Sequence, residues 1–126
     1  MEINSLNTSW TYWFHKYNDD KWDLGSYTKL YNFKSVEEFA GIQCILKSTH
    51  IQNGMFFLMR DDIEPMWESI DNIDGGCFSF KVYKQEIPET WKILSTKLVN
   101  ESIFKNKDNH RLINGMSISP KKTYSI

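Results

Sequence analysis

A chain of 126 residues, 40% hydrophobic and 25% charged, suits one soluble domain with a real core and leaves no room for two. A formal net charge of −1 excludes a protein that grips nucleic acid chiefly through its phosphates, because that requires a strongly basic face. Any nucleic-acid role must therefore draw on bases, in a chain that carries five Trp and eight Phe.

The opening MEINSLNTSW has no basic segment followed by an apolar run, so no signal peptide is expected. The longest apolar run, MFFLM at 55–59, is too short to cross a bilayer. The expectation is a cytoplasmic protein with no membrane role. Cys44 and Cys77 read as reduced, packed cysteines, and no Cys/His spacing suits zinc.

In chain order, SWTYWFHKY (9–17) is a strand dense in aromatic and β-branched residues, and SYTKLYNF (26–33) is another. The polar loop NDDKWDLG (18–25) lies between them. A helix follows: Ser35 with Glu38 three residues on makes a capping box, and Phe39, Ile42, Ile45 and Leu46 form an apolar stripe. Asn53-Gly54 turns the chain into MFFLMRD (55–61), apolar on both faces and so central in a sheet. GGCFSFKVYK (75–84) alternates as a strand should, with Phe78, Phe80 and Val82 on one face. PETWKILSTKLVNE (88–101) is a second amphipathic helix, with Pro88 in its first turn and Trp91, Leu94 and Leu98 on its apolar side. RLINGMSIS (111–119) and TYSI (123–126) are closing strands around PKK. This order predicts an α+β fold in one domain over 1–126, a curved antiparallel sheet with both helices on its convex face.

Two tryptophans do not fit a core: Trp22, in the first polar loop, and Trp67, in DDIEPMWE (61–68). Loops at the rim of a curved sheet can approach one another, and two facing indoles make a slot for a flat ligand. A planar cation gains most there, because each indole adds a cation–π term of roughly 0.5–2 kcal/mol. Stacking of a base contributes about 1–3 kcal/mol. Glu68 adds an in-plane acceptor for two parallel N–H donors, the pair that guanine presents at N1 and N2. The blander readings are a Trp that lids the core and a solvated acid. Trp10, Trp13 and Trp91 are core residues by periodicity. A metal cluster of Asp61, Asp62, Glu64, Asp71 and Asp74 is a competing reading, but acids in such a loop are ordinarily solvated turn residues. No nucleophile elbow or phosphate-cradling glycine loop is present, and no enzyme, metal or cofactor is expected.

The segments WTYWFHK, YNFKSVEEFAGI, DDIEPMWE, GGCFSFKV and ETWKILSTKLVNE occur in the order seen in the eukaryotic translation initiation factor 4E family, which the chain resembles from Trp10 onward. The resemblance implies a protein that binds the 7-methylguanosine cap of messenger RNA in translation initiation or its control. By position, Trp22 and Trp67 would sandwich the methylated base on the concave side of the sheet. Glu68 would take the guanine N1 and N2 protons, and the Trp67 backbone N–H would face O6. The sequence departs from the family in three places. Ser119 stands where an arginine for the cap phosphates is usual, leaving Lys121 and Lys122 as candidates. On the helix face that receives scaffold and repressor proteins in this family, Ala40 replaces the usual tryptophan, and Lys92, Ile93 and Thr96 stand at acidic and leucine positions, near Val36. Weak binding of the usual partner motif is expected, because a helix-in-groove contact without its aromatic anchor loses much of its energy. Finally, the family's domain normally continues past the point where this sequence ends at Ile126. The same fold serving as an interaction module or decoy, with little cap binding, is the alternative.

Overall fold

The computed structural model describes residues 4–16, 21–45, 54–66, 68–119 and 124–125. Four antiparallel strands form the main sheet, in the order β2-β1-β3-β5. They are β1 (Ser5–Lys16), β2 (Tyr27–Ser35), β3 (Gly54–Arg60) and β5 (Gly115–Ile118), and β4 (Val82–Tyr83) pairs with β6 (Tyr124–Ser125) in a separate ribbon. Helix α1 (Val36–Ile45) follows β2 directly, and α2 (Ile87–Val99) follows a single 3₁₀ turn over Lys84–Glu86.

Alternation along the two central strands divides the side chains between two faces. Trp10 and Tyr12 of β1, Phe33 of β2, Phe56 and Leu58 of β3 and Ile118 of β5 point one way, into a core completed by Phe39 and Ile42 of α1 and Ile87, Trp91, Leu98 and Val99 of α2. Both helices thus cover one face, as expected. Each fully buried aliphatic side chain there contributes about 1.5–3 kcal/mol over an exposed one. The other face carries a smaller cluster of Trp13, Phe57 and Met59, flanked by Tyr27, Met55 and Ile63. β3 is buried on both sides because it lies between β1 and β5. Trp10, Trp13 and Trp91 are core residues, as their periodicity predicts.

The capping box forms: the Glu38 backbone N–H donates to Ser35 Oγ at 3.1 Å, and the Ser35 hydroxyl donates to the Glu38 carboxylate at 3.0 Å. Ile45's side chain and Leu46, the far end of the expected stripe, lie outside the described residues. In α2 the buried line runs Ile87, Trp91, Ser95, Leu98, so Ser95 rather than Leu94 occupies the centre. Its hydroxyl donates to the Trp91 carbonyl at 2.6 Å and accepts from Gln43 Nε2 of α1 at 2.7 Å, which joins the two helices.

Three expectations need correction. The alternating segment 75–84 is not a ten-residue strand: 75–81 has no regular structure, Phe78 and Phe80 are exposed, and only Val82–Tyr83 pairs. Alternation prepares a strand to bury one face, but the ladder needs a neighbour, and among the described residues the pairing of this segment is that of Val82–Tyr83 with β6. The strand read over 111–119 begins only at Gly115, after a 3₁₀ helix over Lys107–Leu112. Cys44 and Cys77 are free as expected but exposed, not packed.

Arg60 locks the far end of β3. Its guanidinium donates to the carbonyls of Ile113 (2.9 Å) and His110 (2.7 Å), to Thr8 Oγ1 (3.1 Å) and to Glu101 Oε1 (2.9 Å), and it lies 4.6 Å from the Trp10 ring centroid.

Candidate nucleotide-stacking site

The site is built on the helix-free face, where β1 ends and β2 begins. Register pairs His15 with Tyr27, and the chain from Lys21 to Ser26 connects back into β2. Asp23 caps a one-turn 3₁₀ helix over Leu24–Ser26: its carboxylate accepts from the Ser26 N–H at 3.1 Å, and its carbonyl accepts the Ser26 hydroxyl at 2.7 Å. Trp22, one residue before this cap, lies flat on His15 with ring centroids 4.0 Å apart and planes 3° from parallel. Its rear face is therefore covered while the residue stays 49% exposed. The His15 ring nitrogens face the carbonyls of Lys16 (2.9 Å) and Lys21 (2.7 Å). Tyr27 stands edge-on to His15 at 5.0 Å and to Phe57 at 5.4 Å, and is tilted against Trp22 at 6.3 Å.

The acidic loop arrives from the opposite end of β3. Asp61 turns it, with φ of 48° in the left-handed region and a carboxylate that accepts from both the backbone N–H and the hydroxyl of Ser9 at 3.1 Å. Ile63 then packs on the Trp13 cluster, and Pro65 is buried. The Asn72 amide donates to the carbonyls of Glu64 and Met66, each at 2.8 Å, and Asn114 holds Asn72 and Asp71 in turn. The loop is thus tied down on both sides of position 67. Glu68 is exposed. Burial first, and the Glu68 charge second, push the Tyr27 hydroxyl above its ordinary value.

Trp22 thus packs beside Tyr27, and the charge of Glu68, far along the chain, also acts on Tyr27. Trp67, Lys121 and Lys122 lie outside the described residues. On the helix side, Val36, Ala40, Lys92 and Ile93 are exposed, and the Thr96 hydroxyl donates to the Lys92 carbonyl at 2.6 Å. Among the described residues no group of three or more His, Cys, Asp or Glu side chains could hold a metal ion. None of their helices is long and apolar enough to cross a membrane. Sequence reasoning missed His15, Tyr27 and Asn72. His15 and Tyr27 read as ordinary strand residues and Asn72 as a turn residue, and no local pattern marks what each meets across space.

The family model described as "Eukaryotic initiation factor 4E" matches residues 5–126. The eukaryotic translation initiation factor 4E of Candida glabrata is 32% identical over 123 residues, covering 93% of this chain and 57% of that protein. The chain spans little more than half the length of such relatives. Two solved structures share the fold. The schistosome eIF4E complexed with m7GpppG and 4E-BP superposes with a TM-score of 0.86 at 21% identity, covering 99% of this chain and 71% of that one. The Ascaris suum eIF4E-3 with m2,2,7G cap superposes with a TM-score of 0.85 at 22% identity, covering 98% and 71%.

Proposed function

This chain belongs to the eukaryotic initiation factor 4E family, and from that premise we propose that it binds the 7-methylguanosine cap of messenger RNA as a single, non-catalytic domain acting in translation initiation or its control. The observation that carries this reading is a half-exposed indole, Trp22, backed by His15 and tilted against Tyr27 on the helix-free face. In this reading the sheet curves away from its helices and the base enters on the concave side. Trp22 and Trp67 stack the methylated ring, Glu68 accepts from N1 and N2, the Trp67 backbone N–H meets O6, and Lys121 and Lys122 face the phosphates. The methyl group makes the ring cationic, so each indole contributes a cation–π term that unmethylated guanine forfeits.

Tryptophan fluorescence during titration with 7-methyl-GTP, with GTP as control, tests the reading. Strong quenching by the methylated nucleotide alone is expected, and equal responses would reject the cationic slot. Glu68→Gln should weaken 7-methyl-GTP binding by about 1.5–3 kcal/mol, the worth of a charged hydrogen bond, while leaving stacking intact. An unchanged affinity would mean that Glu68 points elsewhere.

For the helix face, the exposed Ala40 and Lys92 support weak binding of the helical motif carried by scaffold and repressor proteins of translation. A peptide of that motif titrated by calorimetry should bind weakly or not at all, and tight binding would reject this part. If the cap is not bound by a folded protein, the interaction-module reading takes its place.

A further inference from the structure

A pair of side-chain amides ties the acidic loop to the sheet. Asn72 Nδ2 donates to the carbonyls of Glu64 and Met66, each at 2.8 Å. Asn72 Oδ1 accepts from Asn114 Nδ2 at 2.8 Å, and the same nitrogen donates to the Asp71 carbonyl at 2.7 Å. Two amide nitrogens carry four N–H bonds, and four oxygens receive them here. Each amide can point only one way, because carbonyls accept and do not donate.

Both ends of the pair are fixed. Asn114 directly precedes β5, which lies so close to β3 that a Cβ on Gly115 would strike the Leu58 carbonyl and Met59. The Arg60 backbone N–H donates to the Asn114 carbonyl at 2.7 Å, and Arg60 Nε donates to the Ile113 carbonyl at 2.9 Å. At the other end, the Ser69 N–H donates to the Met66 carbonyl at 3.3 Å, which closes a turn over 66–69 with Glu68 inside it. The Asn72 N–H donates to the Ser69 carbonyl and the Asn72 carbonyl accepts the Gly75 N–H, each at 2.9 Å. The Asn72 amide thus meets the base of the turn that carries Glu68. The Met66 carbonyl also shares a planar peptide unit with the N–H that the reading above assigns to guanine O6, so fixing one end fixes the other.

We propose that Asn72, oriented by Asn114, is a positioning residue that sets this turn for the 2-amino edge of guanine, so that purine discrimination depends on an amide pair that touches no base. The inference rests on the cap-binding reading above. A carboxylate takes two parallel N–H bonds only when its plane is aligned with theirs, and a displacement of about 1 Å spoils that alignment. Trp22 is held independently, by His15 behind it and by the Asp23 cap after it. Loss of the amide pair therefore falls on edge recognition more heavily than on stacking by Trp22.

The experiment measures affinities for 7-methyl-GTP and 7-methyl-ITP, which differ only in the 2-amino group, for the native protein, Asn72→Ala, Asn114→Ala and the double variant. The native protein should prefer 7-methyl-GTP by about tenfold or more, the worth of one charged hydrogen bond. Asn72→Ala should reduce this preference to within about twofold, Asn114→Ala should reduce it by about threefold, and the double variant should resemble Asn72→Ala. Partial unfolding lowers both affinities by one factor and leaves the ratio untouched, so the ratio separates positioning from a merely structural role. In the native protein without nucleotide, the Asn72 and Asn114 side-chain amide hydrogens should exchange with water about tenfold more slowly than free amides. Rapid exchange overturns the inference, and this measurement decides the matter if the variants prove unfolded in a thermal melt. A native preference retained in folded Asn72→Ala or Asn114→Ala, or losses that add fully in the double variant, overturns the inference alone. A native protein that binds both nucleotides equally overturns the role of Glu68 and the inference with it. Failure of the native protein to bind either one overturns the cap-binding reading as well.

Discussion

The Tyr12 hydroxyl is fully buried beneath the helices, its ring 5.8 Å from Phe33 and 6.4 Å from Trp91. It lies close to Trp91 and Ser95, yet among the described residues it makes no hydrogen bond of ordinary geometry, and neither does the Trp91 indole N–H. Burial pushes this hydroxyl far above the usual tyrosine value, an effect that Trp91 and Ser95 offset only slightly. Below about pH 10 both the folded and the unfolded chain keep the proton, so the shift has no effect at neutral pH. Above that, the unfolded chain releases its proton while the folded one cannot, and stability falls as pH rises. Tyr12→Phe should therefore leave stability at about pH 7 unchanged or raise it by up to about 1 kcal/mol, and should flatten the loss above about pH 10. Urea unfolding at the two pH values checks both. A loss above about 1 kcal/mol at neutral pH would mean that the hydroxyl is bonded. That Tyr12 faces the core follows from strand alternation; that its hydroxyl goes unpartnered depends on which atoms of α2 arrive opposite it.

At the scale of elements, helices and strands differed in how much could be read locally. The Ser35–Glu38 capping box is present because both of its bonds close within four residues. Ser35→Ala should cost about 1 kcal/mol of stability in chemical denaturation, the usual worth of an N-cap. A cost near zero would mean that the cap is replaced by water. The opposite case is the segment 75–84. Its alternation is as clean as that of β1, but a strand's hydrogen bonds belong to its neighbours, and among the described residues the ladder is formed by Val82–Tyr83. In α2 the apolar stripe was readable but its phase was not: Ser95 takes the central place because Gln43 of α1 reaches it.

For the molecule as a whole, the Arg60 cluster links β1, β3, the chain after α2 and the 3₁₀ helix that precedes β5. Arg60 and Glu101 are largely withdrawn from water, with 8% and 17% of their side chains exposed, and Glu101 adopts φ of 55°. Removing one partner of such a pair leaves the other charge without compensation. Arg60→Met should cost about 3–5 kcal/mol, and adding Glu101→Gln should recover part of it. Thermal unfolding of the single and double variants checks this, and additive losses would mean that the two charges are not coupled. Nothing in MRDD, residues 59–62, distinguishes Arg60 from a solvated arginine at a strand end.

The sequence by itself determined the α+β class, the helix-covered and helix-free faces, the central position of β3 and the candidacy of Trp22 and Glu68. These follow from periodicity, from capping within one turn, and from the oddity of an indole in a polar loop. Only the tertiary structure decided that Trp22 rests on His15, that Tyr27 stands beside both, that Asn72 holds the acidic loop, and that Arg60 locks one end of the sheet. Each of those pairings joins groups whose proximity is set by strand register and loop path, and neither quantity leaves a local trace in residue order.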